Sequence, residues 1–260
     1  MLLGLSSRWN ASRHIDGEAM IAEINELGFF YIELGYDLRL ELVPGIQRAI
    51  AGGCAKVLSV HNYCPIPLGA PSGHPELFLL SSMQEAQRKA AIHNTLRTVE
   101  FAASIGAESV IIHAGRIEMR NKTYELIDMW ERGMQNSQNY DKIKLKLLME
   151  REKKAGRYLN NIEKSLEQIL NVASVLKINI ALENLPSWEA IPNEDEMLKF
   201  HEKFQNLPLK YWHDIGHGQI RETLGFIALN LYLEKLMPIM AGMHLHDVIP
   251  PAYDLSLIHI

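Results

Sequence analysis

Along this chain, short apolar runs end repeatedly in a residue with chemistry of its own. The clearest is Ile180-Ala181-Leu182-Glu183-Asn184-Leu185-Pro186. A run this short, stopped by proline, suits a strand enclosed on both faces better than an amphipathic helix. A carboxylate buried at the end of such a strand must be paired or bound to a metal, because burying it alone is costly.

The same figure recurs from the start of the chain. Residues 2–6 read as a first strand. Residues 14–27 place Ile15, Ala19, Ile21, Ala22, Ile24 and Leu27 at helical spacing, with Gly28 as the stop. Residues 29–34 read as a second strand, residues 44–51 as a helix ending at Gly52-Gly53, and residues 57–60 as a third strand running into His61. A Pro- and Gly-rich loop over 66–75 leads to a helix over 81–105, with Ser81 or Ser82 as cap and Glu85 within reach of the first turn. Residues 109–112 form a fourth strand before His113. Residues 117–139 read as a polar, irregular insertion, followed by a long helix over 140–176 with a candidate break at Gly156. Its charge run over 142–154 reads as a solvated face. The fifth strand is 179–183; the helix over 193–204 starts with Asn193 as N-cap and Glu196 three residues on. A sixth strand at 209–212 runs into His213-Asp214, a helical stretch over 219–240 has a candidate break at Pro238, and residues 241–245 make a seventh strand.

Strands alternating with helices imply right-handed βαβ units and a parallel sheet. A doubly wound sheet gathers its ligand residues at one switch point and usually carries a Gly-rich phosphate loop, which is absent here. In a (β/α)8 barrel of the TIM type, functional groups end several different strands. Glu33, His61, His113, Glu183, Asp214 and His244 do so on six successive strands. The pattern therefore predicts one TIM-type barrel domain over residues 1–254. Too few residues follow Asp247 for an eighth strand and helix. Residues 255–260, Leu-Ser-Leu-Ile-His-Ile, read as a non-native tail encoded by a sequencing adapter, so the natural protein is expected to be longer. With the eighth unit missing, the first and seventh strands are expected to expose unpaired edges, and the chain to be poorly soluble or inactive.

Composition narrows the function classes. Of 260 residues, 47% are hydrophobic and 22% charged, and the net charge of -5 offers no basic footprint for nucleic acid. Cys54 and Cys64 make no disulfide framework. No apolar run approaches the roughly 18 residues of a membrane span, and no signal peptide is recognisable. A cytoplasmic, soluble protein is expected.

Imidazoles and carboxylates converging on one barrel mouth suit a divalent ion such as Mn, Co, Zn or Mg. Glu183, Asp214 and His244 lie on three consecutive strands and make the most economical ligand set, leaving coordination positions for substrate. His217 follows Asp214 by three residues at a strand-to-helix turn, so both can face the mouth, or both can cap the helix. Alternation places His244 and His246 on the same face. His61 and His113 are either substrate or second-metal groups, or satisfied core histidines. Glu33 is either a pocket group or half of an ion pair. Arg116 either holds a phosphate or carboxylate or is a solvated loop residue; Trp9 either walls the pocket or packs. Cys64 reads as a small buried residue.

Six motifs together resemble the xylose isomerase-like superfamily of sugar (phosphate) isomerases and epimerases, to which endonuclease IV is related. They are Ser59-Val60-His61-Asn62-Tyr63-Cys64-Pro65, Val110-Ile111-Ile112-His113-Ala114-Gly115, the run from Ile180 to Pro186, Trp212-His213-Asp214-Ile215-Gly216-His217, His244-Leu245-His246-Asp247 and Tyr253-Asp254. The resemblance implies that Glu183, Asp214 and His244, rather than His246, hold a catalytic divalent metal. A fourth ligand, a Glu on the eighth strand, has no counterpart here. In the isomerases and epimerases, that Glu and Glu183 would move a proton on opposite sides of an enediolate, with His217 holding substrate oxygens. His61, His113, Arg116, Asn184 and Trp9 are the remaining candidates for substrate contact. In the nuclease relative, His61, His113, His217 and Asp254 would join a three-zinc site, and the histidine expected two residues after Asp254 falls at Ser256. The expected activity is metal-dependent isomerisation or epimerisation of a small carbohydrate. An apurinic-site nuclease and a metal- or sugar-binding barrel without catalysis are the alternatives; the oligomeric state stays open.

Overall fold

In a computed structural model that describes residues 2–254, seven parallel strands pair in chain order to form one curled sheet. They are β1 (Gly4–Ser6), β2 (Tyr31–Leu34), β3 (Lys56–His61), β4 (Ser109–Ile112), β5 (Asn179–Glu183), β6 (Leu209–Asp214) and β7 (Met240–His244). The helices are α1 (Gly17–Glu26), α2 (Val43–Ala51), α3 (Glu85–Ser104), α4 (Lys122–Glu131), α5 (Gln138–Leu176), α6 (Glu194–Lys203), α7 (Ile215–Thr223) and α8 (Leu229–Leu236), and all but α4 and α7 give buried residues to the core on the sheet's outer face. This is the predicted TIM-type architecture. Among the described residues β1 and β7 do not pair with each other, and no helix is long and apolar enough to cross a membrane. The tail at 255–260, with Ser256, lies outside the described residues.

Two-residue alternation explains how the strands present chemistry at one end. Val110, Ile112, Ile180, Leu182 and Tyr211 join the large outer core against the helices. Ile111, Ala181 and Trp212 form a separate inner cluster. One step of two residues beyond these inner positions lie His113, Glu183 and Asp214, so the barrel's inward face ends in its polar groups. Trp212 fills the interior. Gly242 on β7 makes room for it, since a Cβ there would stand 2.4 Å from the indole.

Several element boundaries differ from expectation, each for a tertiary reason. The insertion at 117–139 is not irregular: α4 starts at Asn121, whose side chain accepts from Tyr124 N. Leu126 and Met129 of α4 pack with Tyr140, Leu147, Ile220, Leu224 and Val248 in a second core. Helix α3 begins at Glu85, not 81, and has no side-chain cap; Ser81 Oγ instead bonds the backbone of Arg116, accepting at 3.1 Å and donating at 3.0 Å. Helix α5 runs unbroken through Gly156. The expected helix over 219–240 is two helices, α7 and α8, parted by a turn at Gly225. The predicted capping box of α6 is formed by Asn193 and Glu196 as expected. Cys64 is buried, and burial pushes its thiol pKa up.

The loop after β5 is clamped by buried ion pairs. Arg151, in a run expected to be solvated, is 4% exposed. It bonds both oxygens of Glu196 at 2.7 and 2.8 Å and the carbonyls of Trp188 and Ala190 at 2.6 and 3.0 Å. Arg221 is fully buried and bonds Glu194 at 2.8 Å and the Ser187 carbonyl at 3.3 Å. Removing one partner of such a pair strands the other's charge. Arg221→Met is therefore expected to lower unfolding free energy by about 3–5 kcal/mol, read from urea denaturation; a change under about 1 kcal/mol would show that Glu194 relaxes to solvent.

The segment after β1 is tied to α1 by Glu23. This carboxylate accepts from Asn10 at 2.9 Å and Arg13 at 2.8 Å and meets His14 Nε2 at 2.5 Å. His14 first, then Arg13 and Asn10, bring its pKa down to about 2. An unfolded Glu titrates near about 4.3. The contribution is thus complete above that pH and lost as pH falls toward 2. Glu23→Gln is expected to flatten this acid limb of the stability profile, measured as urea midpoint against pH; limbs parallel to wild type would contradict it.

Candidate functional site

The strand tips meet around Glu183, which is 2% exposed. Its Oε2 faces Nε2 of His61 at 3.2 Å and Nε2 of His113 at 3.1 Å. Its Oε1 faces Nδ1 of His244 at 3.2 Å, with His217 Nδ1 at 3.6 Å. Asp214 lies beside it: Oδ1 accepts the His217 backbone N–H at 2.8 Å, and His246 Nε2 reaches both oxygens at 2.9 and 3.0 Å. His244 Nδ1 stands 3.6 Å from Asp214 Oδ2.

Glu33, left open by the sequence, turns into the same cluster. Its Oε2 meets His244 Nε2 at 3.2 Å and accepts from Ser59 Oγ at 2.8 Å, while Oε1 accepts from Ser6 Oγ at 3.2 Å. His244 thus bridges carboxylates through both ring nitrogens. Burial works against ionising Glu183, but His244 and His113 hold its carboxyl well below the ordinary range. Burial likewise opposes ionisation of Glu33 and Asp214, and it is outweighed by His244 and by His217 respectively. His244 is raised well above an ordinary imidazole, Glu33 and Glu183 overcoming its burial. His113 is lowered by burial despite Glu183.

The hydrogen bonds fix tautomers. A carbonyl only accepts, so the Nδ1 that meets Asn62 O (His61, 3.0 Å), Asn184 O (His217, 2.8 Å) or Asp247 O (His246, 3.2 Å) carries a proton. In the neutral rings Nε2 is then a lone pair. For His61 and His246 that lone pair points at a carboxylate oxygen, and such contacts attract only through an intervening proton or metal ion. His61 and His113 converge on the same oxygen with ring centroids 5.0 Å apart. One divalent ion would satisfy both without placing two imidazolium charges side by side. The donor set therefore fits a divalent metal. Two triads, His61–His113–Glu183 and Glu183–Asp214–His217, each bring their ligand atoms within 4.8 Å of one another. His244 touches this centre from the Glu33 side.

The other candidates have distinct placements. Trp9 lines the cleft at the centre of the barrel, a cavity of 690 Å³ that also exposes Glu33, His61, Glu183 and His244. Asn184 faces β6 instead: its side chain donates to Asp214 O at 3.0 Å and accepts from Asp214 N at 2.7 Å. Arg116 pairs with Glu76 and is not among the cleft-lining residues. Arg8, Tyr36, Ser6 and Ser59 line the cleft without having been singled out; the position of Ser6 at a strand tip and of Arg8 just past it was the available signal. His246, ranked below His244, joins it at Asp214, as their common face allows.

A family model described as xylose isomerase-like TIM barrel matches residues 21–254. An uncharacterized protein of Methanocaldococcus jannaschii is 22% identical over 228 residues, 86% of this chain and 69% of that protein. Among solved structures, a D-tagatose 3-epimerase-like protein superposes with a TM-score of 0.64 at 19% identity, over 95% of this chain and 77% of that one. The 3-keto-D-glucoside 4-epimerase of E. coli gives 0.66 at 15% identity, over 95% and 79%. At such identities the likeness concerns the fold.

Glu33 is placed as the group that orients His244, in the manner of a carboxylate behind a metal-binding imidazole. Glu33→Gln is expected to weaken divalent-metal binding about 10–100-fold, measured by competition with a chromophoric chelator, with the thermal transition still cooperative. Unchanged affinity would remove Glu33 from the site.

Proposed function

The chain belongs to the xylose isomerase-like TIM barrel family, and from that premise we propose that it is a divalent-metal-dependent isomerase or epimerase of a sugar or sugar phosphate, acting through an enediolate. The observation that carries this reading is one buried carboxylate, Glu183, held ionised and shared by two ligand triads at the floor of a cleft. Structural neighbours that are sugar epimerases support the substrate class. Residues Glu183, Asp214, His217, His61, His113 and His244 would hold the metal, which is Mn, Co, Mg or Zn. When bound, it supplies positive charge against which an oxyanion can develop.

The chain's own groups do the rest. A proton next to a sugar carbonyl is weakly acidic, and a carboxylate within hydrogen-bond reach can take it and return it. Glu183, buried among the imidazoles that line the cleft, is the carboxylate that would serve as that base. Return to the neighbouring carbon isomerises; epimerisation needs a second acid that protonates the same carbon from the opposite face. His217, its Nδ1–H held by Asn184 O, presents Nε2 for substrate oxygens. Trp9 and Tyr36 wall the cleft.

A second reading has a specific observation in its favour. The triad of His61, His113 and Glu183 beside that of Glu183, Asp214 and His217 also suits a zinc-dependent apurinic-site nuclease, although the net charge of -5 does not favour DNA. Elemental analysis separates them: near one metal per chain supports the isomerase, near three zinc the nuclease. In a panel of aldoses, ketoses and their phosphates, Glu183→Gln is expected to lower kcat about 10²–10⁴-fold. A metal-loaded protein inert toward every sugar but cleaving abasic duplex DNA would replace the first reading with the second.

A further inference from the structure

Among the described residues that line the cleft, Arg8 is the one bearing a guanidinium or ammonium group. It belongs to the turn Ser7–Trp9 directly after β1, at the same end of the barrel as the acidic and imidazole groups. Three contacts fix it. Its Cζ lies 4.1 Å over the Tyr36 ring centroid, a favourable cation–π arrangement. Its stem lies against Gly35, where a Cβ would come within 2.3 Å of Arg8 Cγ. Ser7 Oγ accepts the Gly35 N–H at 2.9 Å, tying the turn to the end of β2.

Held so firmly, this arginine is nevertheless incompletely paired. Asp37 stands 3.8 Å from Nε, beyond hydrogen-bond distance, and the buried Nε has no hydrogen-bond partner. The contrast with Arg151 is plain, since Arg151 makes four bonds to Glu196 and two carbonyls. Tyr36 connects Arg8 to the centre: its ring meets His61 edge-on with centroids 5.1 Å apart. Arg8 and His61 therefore contact the same aromatic ring, which links the guanidinium to the Glu183 cluster along the wall of one cleft. Arg116, the arginine that the sequence offered for an anion, is engaged by Glu76.

We propose that Arg8 anchors an anionic group, phosphate or carboxylate, at the end of the substrate's carbon chain remote from the carbons held at Glu183 and Asp214. The guanidinium fork matches two oxygens of such a group. This assignment rests on the sugar-isomerase reading and narrows it to anionic sugars.

The experiment compares neutral ketohexoses, their terminal phosphates and the matching terminal carboxylates as substrates of the metal-loaded protein, its Arg8→Met variant and its Arg8→Lys variant. Wild type is expected to favour one anionic series over the neutral sugars by at least about tenfold in kcat/KM, mainly through KM. Arg8→Met is expected to collapse that ratio toward one, and Arg8→Lys to keep part of it. Which anionic series is favoured tells phosphate from carboxylate. A wild-type ratio near one, or a ratio that survives Arg8→Met, overturns the anchor while leaving the isomerase reading in place. If no sugar is turned over, that reading fails and inorganic phosphate decides about Arg8. Phosphate that raises the thermal midpoint of wild type but not of Arg8→Met, both loaded with the same metal, upholds an anion site. Equal protection of both, or none, refutes it. Thermal unfolding of each variant without phosphate checks that it is folded, and Arg8→Lys serves where Arg8→Met is not.

Discussion

A carboxylate buried to 2% exposure at the end of a strand is the constraint on which the rest of this molecule turns. Such a group is tolerable only if cations or strong donors surround it. Glu183 meets this chiefly through His244 of β7 and His113 at the end of β4, with His61 of β3 and His217 at the start of α7 beside them. Those elements are far apart in sequence and touch one carboxylate only because the sheet curls. Inside the curl, Trp212 packs with Ile111 and Ala181, and Gly242 leaves room for it. Fold and site therefore satisfy one condition together: the curled sheet that encloses this inner core also brings together the groups around its buried acid.

The imidazoles are themselves aimed. Backbone carbonyls of Asn62, Asn184 and Asp247 each take an Nδ1 proton, and Glu33 braces His244 from behind. Asn184, read in the sequence as a substrate contact, takes a different part. Its side chain makes two hydrogen bonds to the Asp214 backbone, and its carbonyl orients His217. The outer layer extends the same logic, because the buried Arg151–Glu196 and Arg221–Glu194 pairs fasten the loop that follows Glu183.

What the sequence disclosed follows the range of the interactions involved. The strands and their polar tips were legible because a short apolar run, buried on both faces and ending in a carboxylate or imidazole, is a local signal. The α6 capping box was legible because Asn193 and Glu196 satisfy each other within one turn. Helix α4 was not: its apolar face, Leu126 and Met129, packs against Tyr140, Ile220 and Val248, partners no window of sequence contains. Ser81 looked like a cap, yet its hydroxyl serves Arg116 on another segment. Gly156 looked like a break, yet a glycine inside a helix costs only about 1 kcal/mol, which packing along the 39 residues of α5 offsets. Arg116 was offered for an anion and Arg8 was not; Glu76, 40 positions from Arg116, engages it through a pairing no local pattern discloses.

Asp214 shows why some alternatives posed by a sequence are not alternatives in the structure. It was read either as a helix cap or as a metal ligand. Its Oδ1 accepts the backbone N–H of His217 and so caps α7, while both oxygens face His246 and Oδ2 faces His244. A carboxylate has about four lone-pair positions, so one cap leaves capacity to spare. The cap also favours the ionised form a ligand needs, because the first turn of a helix presents positive charge to an anion. At a strand-to-helix turn the same aspartate can therefore start the helix and serve the site, and the start of α7, which carries His217, is fixed by the centre it helps to build.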